Sequence, residues 1–404
     1  MKRDEKNIDR RKFIRMTAVA GMGATILPKE VNAAASNSTP GALKKQEDEK
    51  IPERILGRTG LKMPILSMGV MRADNPSVLR AAYNSGIKHF DTAHGYQNGK
   101  NEEMVGSVLA DKPRDSFIVS TKIKYDSPLK DDFETKLEEM TDISLKRLKM
   151  DFVDIFYLHA IPNIEDVTNE RVIAALKKIK ESGKARFLGF STHANKPEQL
   201  DAAIKAGIYD VILLSYNFKM DNLDILTPAI QRASEAGIGL VIMKSMAGAV
   251  EGADGSKKVN GQACLKWVWS NKYITTNIPG FTNFEQLDDC LAAVKTPAIN
   301  EEEKKYLASL CENHDTIFCQ QCGKCLTQCP ENLPIPDMMR AYMYTYGYKH
   351  AALSKETLAE LHLPEKICSG CEKGCVVNCP SGFNVGEKIA AIKPVMNIPD
   401  AFLT

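Results

Sequence analysis

At 404 residues, 44% of them apolar, the chain exceeds one ordinary domain and has the composition of a globular protein with a sizeable core. A formal charge of +2 excludes the broad basic surface that nucleic acid demands. The first 35 residues hold eight Lys/Arg against four Asp/Glu, so the positive charge lies there and the remainder is net negative by two.

That leader reads "DRRKFIR" from Asp9 to Arg15, then an apolar run from Met16 to Leu27, then small residues ending "VNAAAS". Paired arginines ahead of Phe and an aliphatic residue resemble a twin-arginine export signal. The run is shorter than the roughly 20 apolar residues of a spanning helix, and no cysteine follows it for a lipid anchor. The resemblance implies recognition by the export machinery, cleavage near Ala33 or Ala35, a periplasmic mature protein and no stable membrane span. Residues 36–50, polar and charged, read as a linker.

From Ile65 onward, β-rich apolar runs alternate with helical patterns, which predicts βα units and a parallel sheet. The candidate strands are "ILSMGVM", "IKHFDTA", "FIVSTK", "FVDIFYLH", "ARFLGFS", "DVILLSY", "GLVIMKS" and "YITTNIPG". Eight such units close an α/β barrel of the (β/α)8, or TIM, class over residues 51–298. Pro76 and the Lys196-Pro197 pair mark helix starts; Gly86, Gly183, Gly207 and Gly237 mark helix exits.

Three of these strands deliver an ionisable group near their C-terminal tips: Asp91, Lys122 and His159, with Tyr96 on the loop after the first. Taken singly, each has an ordinary structural reading: a loop carboxylate, a surface lysine, a core histidine, a packed tyrosine. In a parallel barrel the tips converge on one face, where active sites of such folds lie. The order and the local words "FDTAxxY", "STK" and "LH" resemble the catalytic tetrad of the aldo-keto reductases, and "RILGRTGLKMPILSMG" (Arg54 to Gly69) resembles that family's entry hairpin and first strand. The resemblance covers about Ile51 to Lys295. It implies hydride transfer between a nicotinamide cofactor and a small carbonyl or alcohol substrate. Tyr96 would exchange the proton on oxygen, Lys122 would stabilise its phenolate, Asp91 would hold Lys122, and His159 would orient the carbonyl.

The later strand tips are candidates for the cofactor. Ser191 and Thr192, then Ser215 and Tyr216, place hydroxyls and a flat aromatic at neighbouring ends; Lys244 and Ser245 open a small-residue loop whose amides can approach a pyrophosphate. "IPGFTNFEQLDDC", with Gly280, Thr282 and Gln286, resembles the family's phosphate loop and the helix it feeds. No Arg or Lys follows Gly280 to grip a 2′-phosphate, so both NADP and NAD stay open.

Eight of the eleven cysteines fall in two short words within residues 299–404. Cys319, Cys322, Cys325 and Cys329 stand in the CxxCxxCxxxCP spacing of bacterial ferredoxins; Cys368, Cys371, Cys375 and Cys379 repeat it with one extra residue in the second gap. The resemblance implies a ferredoxin-like domain with two [4Fe-4S] clusters, one on Cys319, Cys322, Cys325 and Cys379, the other on Cys368, Cys371, Cys375 and Cys329. Zinc and, in an exported protein, disulfides are the rival readings. Export of an already folded protein would reconcile the leader with the clusters. A hydride carries two electrons and each cluster takes one, so the clusters are expected to stabilise the tail or to serve a separate redox partner. The expectation is an exported, iron-sulfur-bearing oxidoreductase; the alternative is an electron-transfer or binding subunit on a non-catalytic barrel.

Overall fold

The near-continuous apolar runs make strands covered on both faces, as parallel sheets require. In the computed structural model they form β3 (Met68–Gly69), β4 (His89–Asp91), β5 (Ile118–Lys124), β6 (Val153–His159), β7 (Ala185–Thr192), β8 (Val211–Ser215), β9 (Gly239–Met243) and β10 (Thr276–Asn277). Each sequence-predicted run overlaps one of them, β5 and β7 extending past the ends of their runs to Lys124 and Thr192. The described residues are 50–404 apart from 125–127, 129, 162, 194, 248–258, 313–318, 320, 369–370, 372–373, 381 and 404. The leader and all but the last residue of the linker lie outside them.

The strands pair in parallel in chain order from β3 to β10. A parallel bridge from Leu66 to Asn277, with Ser67 N donating to Asn277 O at 2.9 Å and Gly69 N to Pro279 O at 3.1 Å, closes the ring. The period of two then sorts the side chains. Ile155 and Tyr157 of β6 pack inside the barrel with Ile118, Val211, Leu213 and Val241, while Phe156 and Leu158 face the helical layer. Gly189 on β7 leaves room for this packing: a Cβ there would collide with the Val211 carbonyl and lie 2.8 Å from the Tyr157 ring.

A hairpin of β1 (Glu53–Ile55) and β2 (Lys62–Pro64) plugs the floor, its Leu56 and Met63 fully buried in the interior cluster. Arg54 anchors it by donating to the carbonyls of Trp269 (2.6 Å), Ile274 (2.6 Å) and Asn271 (3.1 Å).

The expected helix punctuation holds. Asn75 caps Pro76–Asn84 by accepting from Ser77 N at 2.9 Å, and Lys196–Ala206 opens on its Lys-Pro pair. Gly86, Gly183, Gly207 and Gly237 all have φ between +71° and +90°, which favours glycine.

Beyond the barrel, helix Glu301–Glu312 lies on helix Gly261–Ser270 through an enclosed Lys266–Glu303 pair at 2.7 Å. Helices Ile335–Tyr342, Ala351–Ala359 and Val385–Ile392 then gather around their own apolar cluster of Leu333, Ile335, Met338, Met339, Leu358, Ile389 and Ile392, which also contains Cys325 and Cys329. This C-terminal segment rests on the strand-tip face of the barrel. Lys124 at the tip of β5 pairs with Glu360 at 2.5 Å, Arg72 stacks on Tyr348 at 4.4 Å, and Lys324 reaches Asp221 at 3.2 Å. Among the described residues no helix is long and apolar enough to cross a membrane.

Candidate active site

Strand register brings the four ionisable groups together. Asp91 ends β4 opposite Ser120 of β5, Lys122 stands opposite Tyr157 of β6, and Lys124 opposite His159. Lys122, 1% exposed, donates from Nζ to Asp91 Oδ1 at 2.5 Å and to Thr92 O at 2.6 Å, and its Nζ lies 3.4 Å from Tyr96 Oη. The second carboxylate oxygen of Asp91 accepts from Ser120 Oγ at 2.6 Å, and Ser120 Oγ lies 2.9 Å from His89 Nε2. The His159 ring meets Tyr96 edge to face, centroids 5.7 Å apart.

The loop that presents Tyr96 is tightly braced. Gln97 and Asn98 both have φ of +53°, strained for residues with a side chain. Gln97 Nε2 holds the carbonyls of Met71 (3.2 Å) and Ala73 (3.1 Å), while Asn101 holds those of Val70 and Ala73 and accepts from Thr92 Oγ1. Arg147 ties the His94 carbonyl to the buried Glu102, which also accepts from Thr121 Oγ1. These bracing residues carried no sequence signal of their own.

The electrostatics set the resting protonation states. A lysine ammonium beside a phenol ordinarily eases its ionisation, but here the Lys122 charge is committed to Asp91. Burial, then the Asp91 charge, push the Tyr96 phenol well above its usual range. Tyr96 is therefore held protonated. Burial lowers Lys122 against the pull of Asp91, and burial followed by the charges of Lys122, Arg340 and Lys124 keeps His159 well below the usual histidine range, hence neutral.

The candidate cofactor residues stand at the ends of β7 and β8 or follow β8, β9 and β10. Ser191 Oγ accepts from Ala160 N at 2.8 Å, beside His159. Ser215 is buried at the end of β8, and Tyr216 packs against Trp267 with centroids 4.8 Å apart. The Lys244 carbonyl accepts from Asn217 Nδ2 at 3.2 Å, and Ser245 is buried 3.5 Å from Asn277 Nδ2. Gly280 passes beside the Gly69 carbonyl; Thr282 N donates to Gln286 Oε1 at 2.9 Å, at the start of helix Phe284–Lys295. Thr192, fully buried, ends β7, and His193 follows it with a buried Nδ1 that has no hydrogen-bond partner.

None of the eight tail cysteines is joined in a disulfide. Cys319 faces Cys325, Cys322 and Cys379, and its thiol is pushed up to about 12, first by burial and then by their charges. Cys329, Cys368, Cys371 and Cys375 line one cavity with Leu333, Ile335 and Ile389. Among the described residues no three His, Cys, Asp or Glu side chains gather closely enough to hold a single metal ion.

Fold and site together define a parallel eight-stranded α/β barrel with a buried lysine–carboxylate pair beside a tyrosine at the strand tips. Residues 66–260 match the model of the Aldo/keto reductase family. The chain is similar to the L-galactose dehydrogenase of Arabidopsis thaliana, 27% identical over 61% of this chain and 88% of that protein. It is also similar to the L-glyceraldehyde 3-phosphate reductase of Escherichia coli (strain K12), 34% identical over 36% of this chain, a match spanning 46% of that enzyme's length. Among solved structures, the holo form of an aldo-keto reductase from Bacillus halodurans shares the fold, with a TM-score of 0.54 and 22% identity over 64% of this chain and 96% of that one. The family match lies within the barrel, and the Escherichia coli enzyme is matched over about half of its length.

Proposed function

We propose that the protein is an oxidoreductase of aldo-keto reductase type, moving a hydride between NADP or NAD and a small carbonyl or alcohol substrate. The observation that carries this reading is the Lys122 ammonium, held by Asp91, 3.4 Å from the Tyr96 hydroxyl with His159 edge-on beside it. A bound nicotinamide supplies the hydride. The chain supplies geometry and a proton: Tyr96, protonated across the neutral range, gives its proton to the carbonyl oxygen, and neutral His159 offers a ring N–H that orients that oxygen. Lys122 remains to stabilise the phenolate once the proton has left. The neighbouring ends of β7, β8 and β9 are where the cofactor would lie, beside the unpartnered His193 Nδ1 and the buried Ser191 and Ser215.

Export by the twin-arginine route and two [4Fe-4S] clusters on the tail complete the proposal. The cluster reading is supported by the ferredoxin spacing and by the mixing of the two cysteine words. Cys379 falls with Cys319, Cys322 and Cys325, and Cys329 with Cys368, Cys371 and Cys375. Each thiolate of a four-iron cube holds its own iron, so such a site need not converge on one point as a single ion requires.

Fluorescence titration of the purified protein with NADH and NADPH tests the core of the reading. Saturable binding of one is expected; binding of neither by cofactor-free protein would favour a non-catalytic barrel. Tyr96→Phe should abolish carbonyl reduction while nucleotide affinity stays within about tenfold, because the phenol acts on the substrate oxygen. Wild-type turnover in that variant would refute the tetrad assignment.

A further inference from the structure

Two buried polar side chains below Tyr96 have no part in the reaction as described so far. His89 precedes Asp91 by two on β4, and Ser120 precedes Lys122 by two on β5, so all four side chains share the inward face of the barrel. None is more than 2% exposed. The hydrogen-bond directions can be assigned one by one. Lys122 has three N–H donors, and they go to Asp91 Oδ1 (2.5 Å), Thr92 O (2.6 Å) and Tyr96 Oη (3.4 Å). A carboxylate only accepts, so the 2.6 Å contact between Ser120 Oγ and Asp91 Oδ2 takes up the one hydroxyl hydrogen of Ser120. Ser120 Oγ, 2.9 Å from His89 Nε2, is therefore the acceptor in that contact, and His89 carries its hydrogen on Nε2. The ring is neutral, since burial pushes it down to about 4. Its Nδ1 is then a bare lone pair, and that atom is buried with no hydrogen-bond partner.

Such a chain of bonds controls rotation. A carboxylate turns readily about its bond to Cβ, and Lys122 holds only one of its oxygens. Ser120 fixes the other, and its own hydroxyl would swing free without the donation from His89. If Asp91 turned, Lys122 would follow Oδ1, and the contact with Tyr96, the longest of the three, is the one least able to survive the shift. The chain ends at His89: the residue is fully buried and its Nδ1 is unpartnered, so no proton leaves by that route. Filling the barrel with satisfied polar groups is poorly served by a ring that leaves an acceptor bare, because a buried unpaired acceptor is costly. Tyr157, opposite Lys122 on β6, does not hold the lysine, since its hydroxyl is likewise buried without a partner.

We infer that Ser120 and His89 are positioning residues for this site: His89 Nε2–H orients the Ser120 hydroxyl, Ser120 fixes the rotation of the Asp91 carboxylate, and Lys122 is thereby kept on the Tyr96 oxygen. The inference rests on the reductase reading for its consequence in turnover, but the bonds themselves can be tested without turnover.

The test uses the full chain, isotope-labelled at the histidine ring nitrogens and at tyrosine Cζ, in nuclear magnetic resonance; His89→Gln and Tyr96→Phe assign the two signals. The His89 ring should show a protonated Nε2 and a bare Nδ1. Ser120→Ala and His89→Leu should both move the Tyr96 Cζ resonance, which reports the surroundings of the phenol oxygen. His89→Gln, whose amide keeps an N–H at similar reach, should leave it near the wild-type position. A bare Nε2 with a protonated Nδ1, or a Tyr96 resonance indifferent to Ser120→Ala, overturns the inference. In NADPH- or NADH-dependent reduction of 4-nitrobenzaldehyde, Ser120→Ala should lower kcat by about tenfold to a hundredfold, as loss of one hydrogen bond to a charged group does, with KM and nucleotide affinity within about twofold. His89→Leu should fall in the same way and His89→Gln should recover most of the rate; equal losses in the two His89 variants would refute positioning. Should Ser120→Ala fail to fold, the two His89 variants decide. Absence of aldehyde reduction by wild type would count against the reductase reading, and the spectra would still decide whether His89 and Ser120 hold the site.

Discussion

Replacing Lys122 by Met removes a cation whose charge is almost wholly enclosed. Its partner Asp91, 2% exposed, would keep the Ser120 hydroxyl as donor but lose its counter-charge. Removing one member of a buried pair typically costs about 3–5 kcal/mol, because the remaining charge has neither water nor partner. The Thr92 carbonyl loses a donor as well. Lys122→Met should therefore lower unfolding stability by about 3–5 kcal/mol in urea, with an unchanged m-value. Adding Asp91→Asn removes the stranded charge, and the double variant should recover about half of the loss. Both proteins should be inactive, since neither holds a cation beside Tyr96. The reasoning fails if Lys122→Met alone is as stable as wild type, or if the two substitutions prove additive.

Other consequences are as direct. Burial holds His89 down at about 4, against the partial pull of Asp91 and Asp154. Between that value and the ordinary 6.5 the unfolded chain binds more protons, so the stability that neutral His89 contributes is complete above about pH 6.5 and is lost as pH falls towards 4, about 3 kcal/mol in all. His89→Asn should flatten urea midpoints measured across that window; an unchanged slope would contradict the assignment. Gly189→Ala forces a methyl against the Val211 carbonyl and the Tyr157 ring and should cost at least about 3 kcal/mol, readable as a fall in the thermal midpoint. Arg10→Lys with Arg11→Lys should leave the protein in the cytoplasm on cell fractionation, because paired guanidinium groups form the address; normal export would refute that reading of the leader.

The barrel was legible because its strands are buried on both faces, which writes them as apolar runs, and because the helix exits need glycine. Asp91, Tyr96, Lys122 and His159 were legible because each sits at a fixed place relative to a strand end. What holds Tyr96 in place was not: Gln97, Asn101 and Arg147 act through backbone carbonyls, and a side chain that bonds a carbonyl leaves no pattern in spacing. The contacts of Lys124 with Glu360 and of Arg72 with Tyr348 were hidden for another reason: they join the strand tips to a segment remote in sequence, and only the fold reveals that neighbourhood.

The floor of the barrel has a bearing on traffic. Leu56 and Met63 fill it from below, and Arg54 locks the hairpin to three carbonyls, so nothing enters or leaves by that end. Any molecule that reaches Tyr96 therefore comes from the strand-tip end, over which the C-terminal segment lies, so a change in that segment acts on access to the site as well as on stability.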